Sequence, residues 1–259
     1  METVNESIYD HPRYYDLVFG TDCAAELKFL CEINNAFLKG KAKRLFEPAC
    51  GTGRLMYGLA KRGFEIEGID LNKQAVDFSN ARFKRHGLNP TAWVADMADF
   101  KASRKWDMAF NTINSFRHLT THSSAVSHLE CMARQTRQGG LYLIGLHLTP
   151  TTAEPTETES WAARRGHLSV LTHMWTEERN PRKRLERFGI QFDVYTPTKM
   201  FRIEDELRMR SYTAKQFPKL LAEAGNWEVA GTYDFAYDIK RPIVVDSATE
   251  DVVYVLRKV

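Results

Sequence analysis

The stretch Leu45-Phe46-Glu47-Pro48-Ala49-Cys50-Gly51-Thr52-Gly53-Arg54-Leu55 constrains this chain more than any other. Residues 44–46 have the character of a buried strand end. Gly51 and Gly53 allow a sharp turn and a close ligand approach, and Leu55 to Ala60 then has helical spacing. A strand, a glycine-rich loop and a helix N-terminus form the usual ligand cradle of an open α/β sheet. Two phosphate-binding versions fail here. A G-x-G-x-x-G fingerprint starting at Gly51 would put its third glycine where Met56 stands, and a P-loop would need Lys-Ser/Thr where Arg54-Leu55 follow Gly53.

The pattern that fits is E/D-x-x-x-G-x-G, with Glu47 at the strand end. Here the chain resembles the class I S-adenosylmethionine-dependent methyltransferases, although Ala49 stands where that family often has glycine. Two later strand ends extend the match. Asp70, in Gly68-Ile69-Asp70-Leu71-Asn72, closes an expected second strand, where an acid reaches ribose hydroxyls. Trp93 to Phe100 contains an expected third strand ending at Asp96. The resemblance implies that Asp96 accepts from the adenine amino group and that the Met97 backbone meets the ring. It also implies an N-terminal flap over the cofactor, for which His11-Pro12-Arg13-Tyr14-Tyr15-Asp16-Leu17 is the counterpart. The implied cofactor contacts are Tyr15, Glu47, Ala49, Gly51, Gly53, Asp70, Leu71, Asp96, Met97 and Asn111.

Composition narrows the alternatives. A length of 259 residues holds one large α/β core with length left for an added segment. With 43% hydrophobic and 27% charged residues the chain has an ordinary globular balance, and a net charge of +3 is too small to argue for nucleic acid. No apolar run approaches a membrane span and the N-terminus lacks a signal pattern, so a cytoplasmic protein is expected. Cys23, Cys31, Cys50 and Cys131 form no C-x-x-C pair, which points to reduced thiols, and no metal site is expected. Cys50 is expected to be a small loop residue and not a nucleophile.

Along the chain, helices are expected over 24–38, 54–62, 73–85 and 123–137, with strands at 106–111 and 141–146 and a turn at Gly139-Gly140. Strand and helix alternate through residue 148, which predicts a doubly wound, seven-stranded, mostly parallel sheet. From Thr149 the period changes. Residues 149–160 are polar and proline-containing, a loop. Segments 168–176, 186–195 and 201–210 alternate at period two, an inserted antiparallel meander. Thr213 is the expected cap of a helix that ends at Gly225, with Pro218 as a point where it can kink. Residues 227–235 and 252–258 supply two final strands, which in the resembled family form a reversed edge hairpin.

These readings divide the chain into an N-terminal flap and cofactor core (1–148), an insertion that covers an acceptor pocket or makes a dimer contact (149–211), and a C-terminal completion of the core (212–259). The implied activity is transfer of a methyl group from S-adenosylmethionine to N or O of a small molecule, leaving S-adenosylhomocysteine. The protein is expected as a monomer or homodimer. His118 after the fourth strand and His147 after the fifth are the candidate general bases, with His173 of the meander behind them. Two other readings keep the cofactor. In one, the run Arg179-Asn180-Pro181-Arg182-Lys183-Arg184 docks an RNA acceptor; in the other, the protein binds the cofactor without catalysis. A charged hairpin tip is the commoner meaning of such a run, and Asn111-Thr112-Ile113-Asn114 lacks the Asn-Pro-Pro-Tyr signature of DNA amino-methyltransferases.

Overall fold

The computed structural model describes residues 1–259. In chain order its elements begin with β1 (Glu2–Asn5), α1 (Pro12–Gly20), α2 (Ala24–Leu38), β2 (Arg44–Pro48), α3 (Arg54–Ala60) and β3 (Glu65–Asp70). Next come α4 (Lys73–Arg85), β4 (Ala92–Val94), β5 (Trp106–Asn111), α5 (His122–Gln135) and β6 (Thr136–His147). The remainder is β7 (Thr158–Arg165), β8 (Leu168–Asn180), β9 (Leu185–Tyr195), β10 (Met200–Arg210), α6 (Gln216–Ala224), β11 (Trp227–Tyr233) and β12 (Asp251–Lys258). Short 3-10 turns at Ile8–Asp10 and Ser115–His118 complete it.

Seven strands form one sheet in the order β11-β12-β6-β5-β2-β3-β4. The five from β6 to β4 run parallel, and β12 lies antiparallel to both of its neighbours, so the sheet is mixed. Both faces are covered, because successive strand residues point to opposite sides. Leu141 and Leu143 pack with Leu30 and Ile33 of α2 and Leu55 and Leu59 of α3. Tyr142 and Ile144 pack with Leu129 of α5 and Leu220 of α6. Each such fully buried side chain contributes roughly 1.5–3 kcal/mol of transfer free energy.

The second sheet has five strands, β1-β10-β9-β8-β7, where three were expected. β7 begins at Thr158, inside the stretch read as loop, and β1 adds itself in parallel to β10. Neither strand advertises itself in sequence. β7 is an edge strand with only Trp161 and Ala163 partly buried, and β1 has only Val4. The inner face of this sheet packs on the N-terminal segment, where Ile8, Leu17 and Val18 share a core with Val170, Ile190, Phe192 and Ile203.

Three other expectations are corrected. Gly139-Gly140 is not a turn but part of β6, at an irregularity in its pairing with β5; a Cβ at Gly140 would lie 2.8 Å from the Asp107 carbonyl, so close backbone approach explains the glycine. Thr213 does not cap α6, which starts at Gln216 with no side-chain cap; the Thr213 N–H instead donates to Gln216 Oε1 at 3.1 Å. Pro218 therefore falls in the first turn, where amide hydrogens lack helical partners, and the helix continues past it. β4 stops at Val94, which leaves Asp96 exposed in a turn where its carboxylate accepts from the Ala98 N–H at 2.8 Å.

The second sheet leaves and rejoins the core at one point. The Thr149 N–H donates to the Tyr212 carbonyl at 2.8 Å, and Thr149 Oγ1 donates to Glu186 Oε1 at 2.9 Å. Glu186 also pairs with buried Arg117, whose Nε donates to the Arg210 carbonyl at 3.0 Å. The root of the insertion is thus fastened to the turn that carries His118.

Candidate active site

A cavity of about 770 Å³ opens over the carboxyl ends of β2, β3, β5 and β6 and continues under the second sheet. At one end the chain leaves β2 through Ala49, Gly51 and Gly53, all with positive φ (54°, 53° and 67°). Asp70, at the end of β3, holds this turn. Its carboxylate accepts from the Gly51 N–H at 2.7 Å and from the Asn72 N–H at 2.8 Å. Burial raises the Asp70 pKa, and these two hydrogen bonds oppose the rise.

Of the residues singled out from sequence, Tyr15, Glu47, Ala49, Gly51, Asp70, Leu71, Met97, Asn111, His118 and His147 line the cavity. Gly53 and Asp96 do not. Gly53 packs against α4, where a Cβ would sit 2.1 Å from Ser79 Oγ, and Asp96 points into its own turn. His173 also stays outside: its Nδ1 is hydrogen-bonded to Ser160 Oγ at 2.7 Å and its ring stacks on Trp175. Cys50 lines the cavity but is buried, and burial followed by Glu47 pushes its thiol well above the usual range, so it is not a nucleophile.

Several residues that sequence reasoning passed over complete the walls. Buried Asp16 accepts from Thr52 Oγ1 at 3.0 Å and pairs with Arg82 of α4 and Arg165 of β7, so one carboxylate ties α1 to the glycine loop and to the second sheet. Arg54 faces the cavity but is engaged bidentately by Glu26, to which Thr112 Oγ1 also donates at 2.8 Å. Burial works against the Arg54 charge, yet Glu26 outweighs it and keeps the guanidinium fully charged. Glu47 Oε2 and Asn111 Oδ1 are buried acceptors with no partner. Burial holds the Glu47 pKa well above the carboxylate range, with Arg54 as the opposing influence. No periodicity marks these polar groups, since each is defined by a partner far away in sequence.

Both loop histidines are oriented by distant residues. His118 Nε2 and Tyr9 Oη are hydrogen-bonded at 3.0 Å, and burial, then the Arg117 charge, lowers the His118 pKa. His147 Nδ1 is bonded to Asp251, its backbone N–H donates to Asn114 Oδ1 at 2.7 Å, and its ring meets Phe235 edge-on. The far wall is apolar, formed by Trp161, Met174, Ile190, Leu207 and Met209 of the second sheet.

Residues 46–140 match the family model described as a methyltransferase domain. An S-adenosylmethionine-dependent methyltransferase from Clostridium acetobutylicum superposes with a TM-score of 0.78 at 17% identity, over 96% of this chain and 97% of that one. The fold is that of class I S-adenosylmethionine-dependent methyltransferases. Two further similarities come from sugar enzymes. CalS10 of Micromonospora echinaspora, an amino pentose methyltransferase solved with S-adenosylmethionine bound, gives a TM-score of 0.74 at 16% identity over 100% of both chains. The dTDP-3-amino-3,6-dideoxy-alpha-D-glucopyranose N,N-dimethyltransferase of Streptomyces fradiae is 23% identical over 188 residues, 71% of this chain and 70% of that protein.

The chemistry of this cavity suits S-adenosylmethionine, the molecule bound in the CalS10 structure. An ammonium group beside the unpartnered Glu47 Oε2 and Asn111 Oδ1 would favour the ionised form of Glu47 that burial otherwise opposes, and an ionised carboxylate at Asp70 retains lone pairs after accepting two N–H groups. No helix is long and apolar enough to cross a membrane.

Proposed function

We propose that this protein is an S-adenosylmethionine-dependent methyltransferase that transfers the methyl group to the amine nitrogen of a small molecule held beneath the second sheet. The observation that carries this reading is the continuity of one cavity from the glycine loop to an apolar wall, with two histidines among its lining residues. In this reading Asp70 binds the ribose hydroxyls, Glu47 and Asn111 receive the amino acid portion, Met97 and Leu71 flank the adenine, and Tyr15 closes over Gly51. The names of the aminosugar N-methyltransferases among the similar proteins support nitrogen over oxygen.

When bound, the sulfonium supplies an electrophilic methyl group. What the chain must add is alignment, exclusion of water and removal of one proton from the incoming ammonium. With the cofactor held by Glu47, Asp70 and Asn111, the nitrogen lone pair so freed would take the methyl group, the C–S electrons leaving on sulfur as S-adenosylhomocysteine. His147 is the base in this proposal. Asp251 fixes one ring nitrogen and stabilises the imidazolium that forms, leaving the other nitrogen to take the proton. His118, kept neutral by burial and bonded to Tyr9, positions the flap over the acceptor.

Mass spectrometry with trideuteromethyl-labelled cofactor and paired small amines and alcohols tests the reading. Label should appear on the amines, and His147→Gln should lower turnover roughly 100-fold or more while cofactor binding is retained. Label on alcohols alone, or cofactor binding with no transfer to any acceptor, contradicts it.

The RNA alternative gains nothing from the basic run. Arg179 is paired with Glu157 and Glu186, and Arg184 stacks on Tyr212, which leaves only Arg182 and Lys183 in open solvent.

A further inference from the structure

We infer that the acceptor binds as a free cationic amine and not as a sugar carried on a nucleoside diphosphate, with Glu159 and Trp161 reading its charge. This rests on the amine reading above and narrows it.

Two features of the cavity point the same way. The first is charge. Among its lining residues Glu159 is the one carboxylate not given to the cofactor in that reading, and Arg54 is the sole lysine or arginine. Arg54 is already neutralised by Glu26. A pyrophosphate carries charge that proteins meet with arginine forks, lysines or the N-terminus of a helix. No free side-chain cation lines this cavity, and Asp70 occupies the Gly51 N–H near the start of α3.

The second is the aromatic lining. Trp161, Phe19, Tyr15, Tyr9 and His118 form a chain of rings, with successive centroids 5.8, 4.6, 5.4 and 5.7 Å apart. All five line the cavity. The faces of such rings attract ammonium groups, most strongly where water is excluded. Tyr15 is placed for the cofactor, lying 3.9 Å from where a Gly51 Cβ would sit, and Trp161 and Phe19 lie at the second-sheet end. Glu159 stands two residues from Trp161 on the same face of β7, opposite Met174, which also lines the cavity. Its carboxylate makes no ion pair and no hydrogen bond within the protein. An exposed carboxylate at the rim beside an aromatic wall suits a cation that stays charged as methyl groups are added.

The test uses protein loaded with S-adenosylhomocysteine, titrated calorimetrically with tetramethylammonium and, separately, with inorganic pyrophosphate and UDP. Tetramethylammonium should bind, and Glu159→Gln should weaken it about fivefold, the scale of one exposed charge contact. Trp161→Ala should weaken it at least as much, while S-adenosylhomocysteine affinity stays unchanged in Glu159→Gln. Binding of pyrophosphate or UDP as tight as that of the cation overturns the inference, as does a cation affinity indifferent to both substitutions. Turnover of glucosamine against UDP-glucosamine supplies the second arm, with the free amine preferred; preference for the nucleotide-linked form overturns the inference. Cation binding without methylation of any amine leaves the charge selection standing and removes the amine-transfer reading instead.

Discussion

At the glycine-loop end of the cavity, Gly51 and the Asp70 that holds it are 19 residues apart in sequence. At the second-sheet end, Tyr9 meets His118 across 109 residues, His147 meets Asp251 across 104, and Ser7 meets Asp205 across 198. The first end is set by backbone geometry within two adjacent β-α units and is preserved wherever that unit folds. The second is an assembly of five distant segments, around Tyr9, His118, His147, Asp205 and Asp251, brought together only by folding. Under the proposed function, a change of acceptor calls for change at the second end alone.

The comparison can be broken most strongly at the root of the insertion. Arg117 and Glu186 are both buried, and Glu186→Gln would leave a desolvated guanidinium without its charge partner. A loss of about 3–5 kcal/mol in urea unfolding is expected. A loss under about 1 kcal/mol would mean that the second sheet is fastened elsewhere.

The next effect concerns His128, which sits beneath the cavity wall. It is hydrogen-bonded to the Met97 carbonyl at 2.8 Å and to Tyr142 Oη at 2.7 Å, and burial lowers its pKa to about 4. Because the folded value lies below the unfolded one of about 6.5, the unfolded chain binds more protons between them. Its contribution is therefore fully present above pH 6.5 and falls by about 3 kcal/mol as the pH drops toward 4. Unfolding free energies at pH 7 and 4.5, compared with those of His128→Asn, isolate it; a variant with the same pH slope would contradict the assignment.

A smaller effect sharpens the glycine-loop side. Ala49 is held at φ 54°, a left-handed conformation that costs a residue with a Cβ roughly 1–2 kcal/mol. Ala49→Gly relieves that strain and gives back part of it in unfolded-chain entropy, for a net gain of up to about 1 kcal/mol in the same unfolding assay. Replacing Arg182 and Lys183 together by alanine should have the least effect, within about 0.5 kcal/mol in stability and with methyl transfer unchanged. A large loss of activity in that double variant would return the basic hairpin to a functional role.

What could be read from sequence follows the same division. The β2 loop, the β3 end at Asp70 and the alternation through β6 were legible because strand, glycine turn and helix have local signatures. Asp96 was misplaced by position alone: β4 is three residues long, and an acid two positions past its end is free to turn away. Gly53 was read as a ligand contact because glycine signals close approach, but the approaching group is Ser79 of α4. β7 and β1 were missed because an edge strand needs no apolar alternation. The partners of the two histidines, Tyr9 and Asp251, carry no sequence mark, since pairing across a hundred residues exists only in the folded chain.

The two-ended account is tested most directly by titration calorimetry with S-adenosylhomocysteine on the parent protein, Asp70→Ala and Glu159→Gln. Asp70→Ala should weaken binding by about 1–3 kcal/mol, the cost of unpairing buried groups, while Glu159→Gln leaves it unchanged. Unchanged affinity in Asp70→Ala, or an equal loss in both variants, would contradict it.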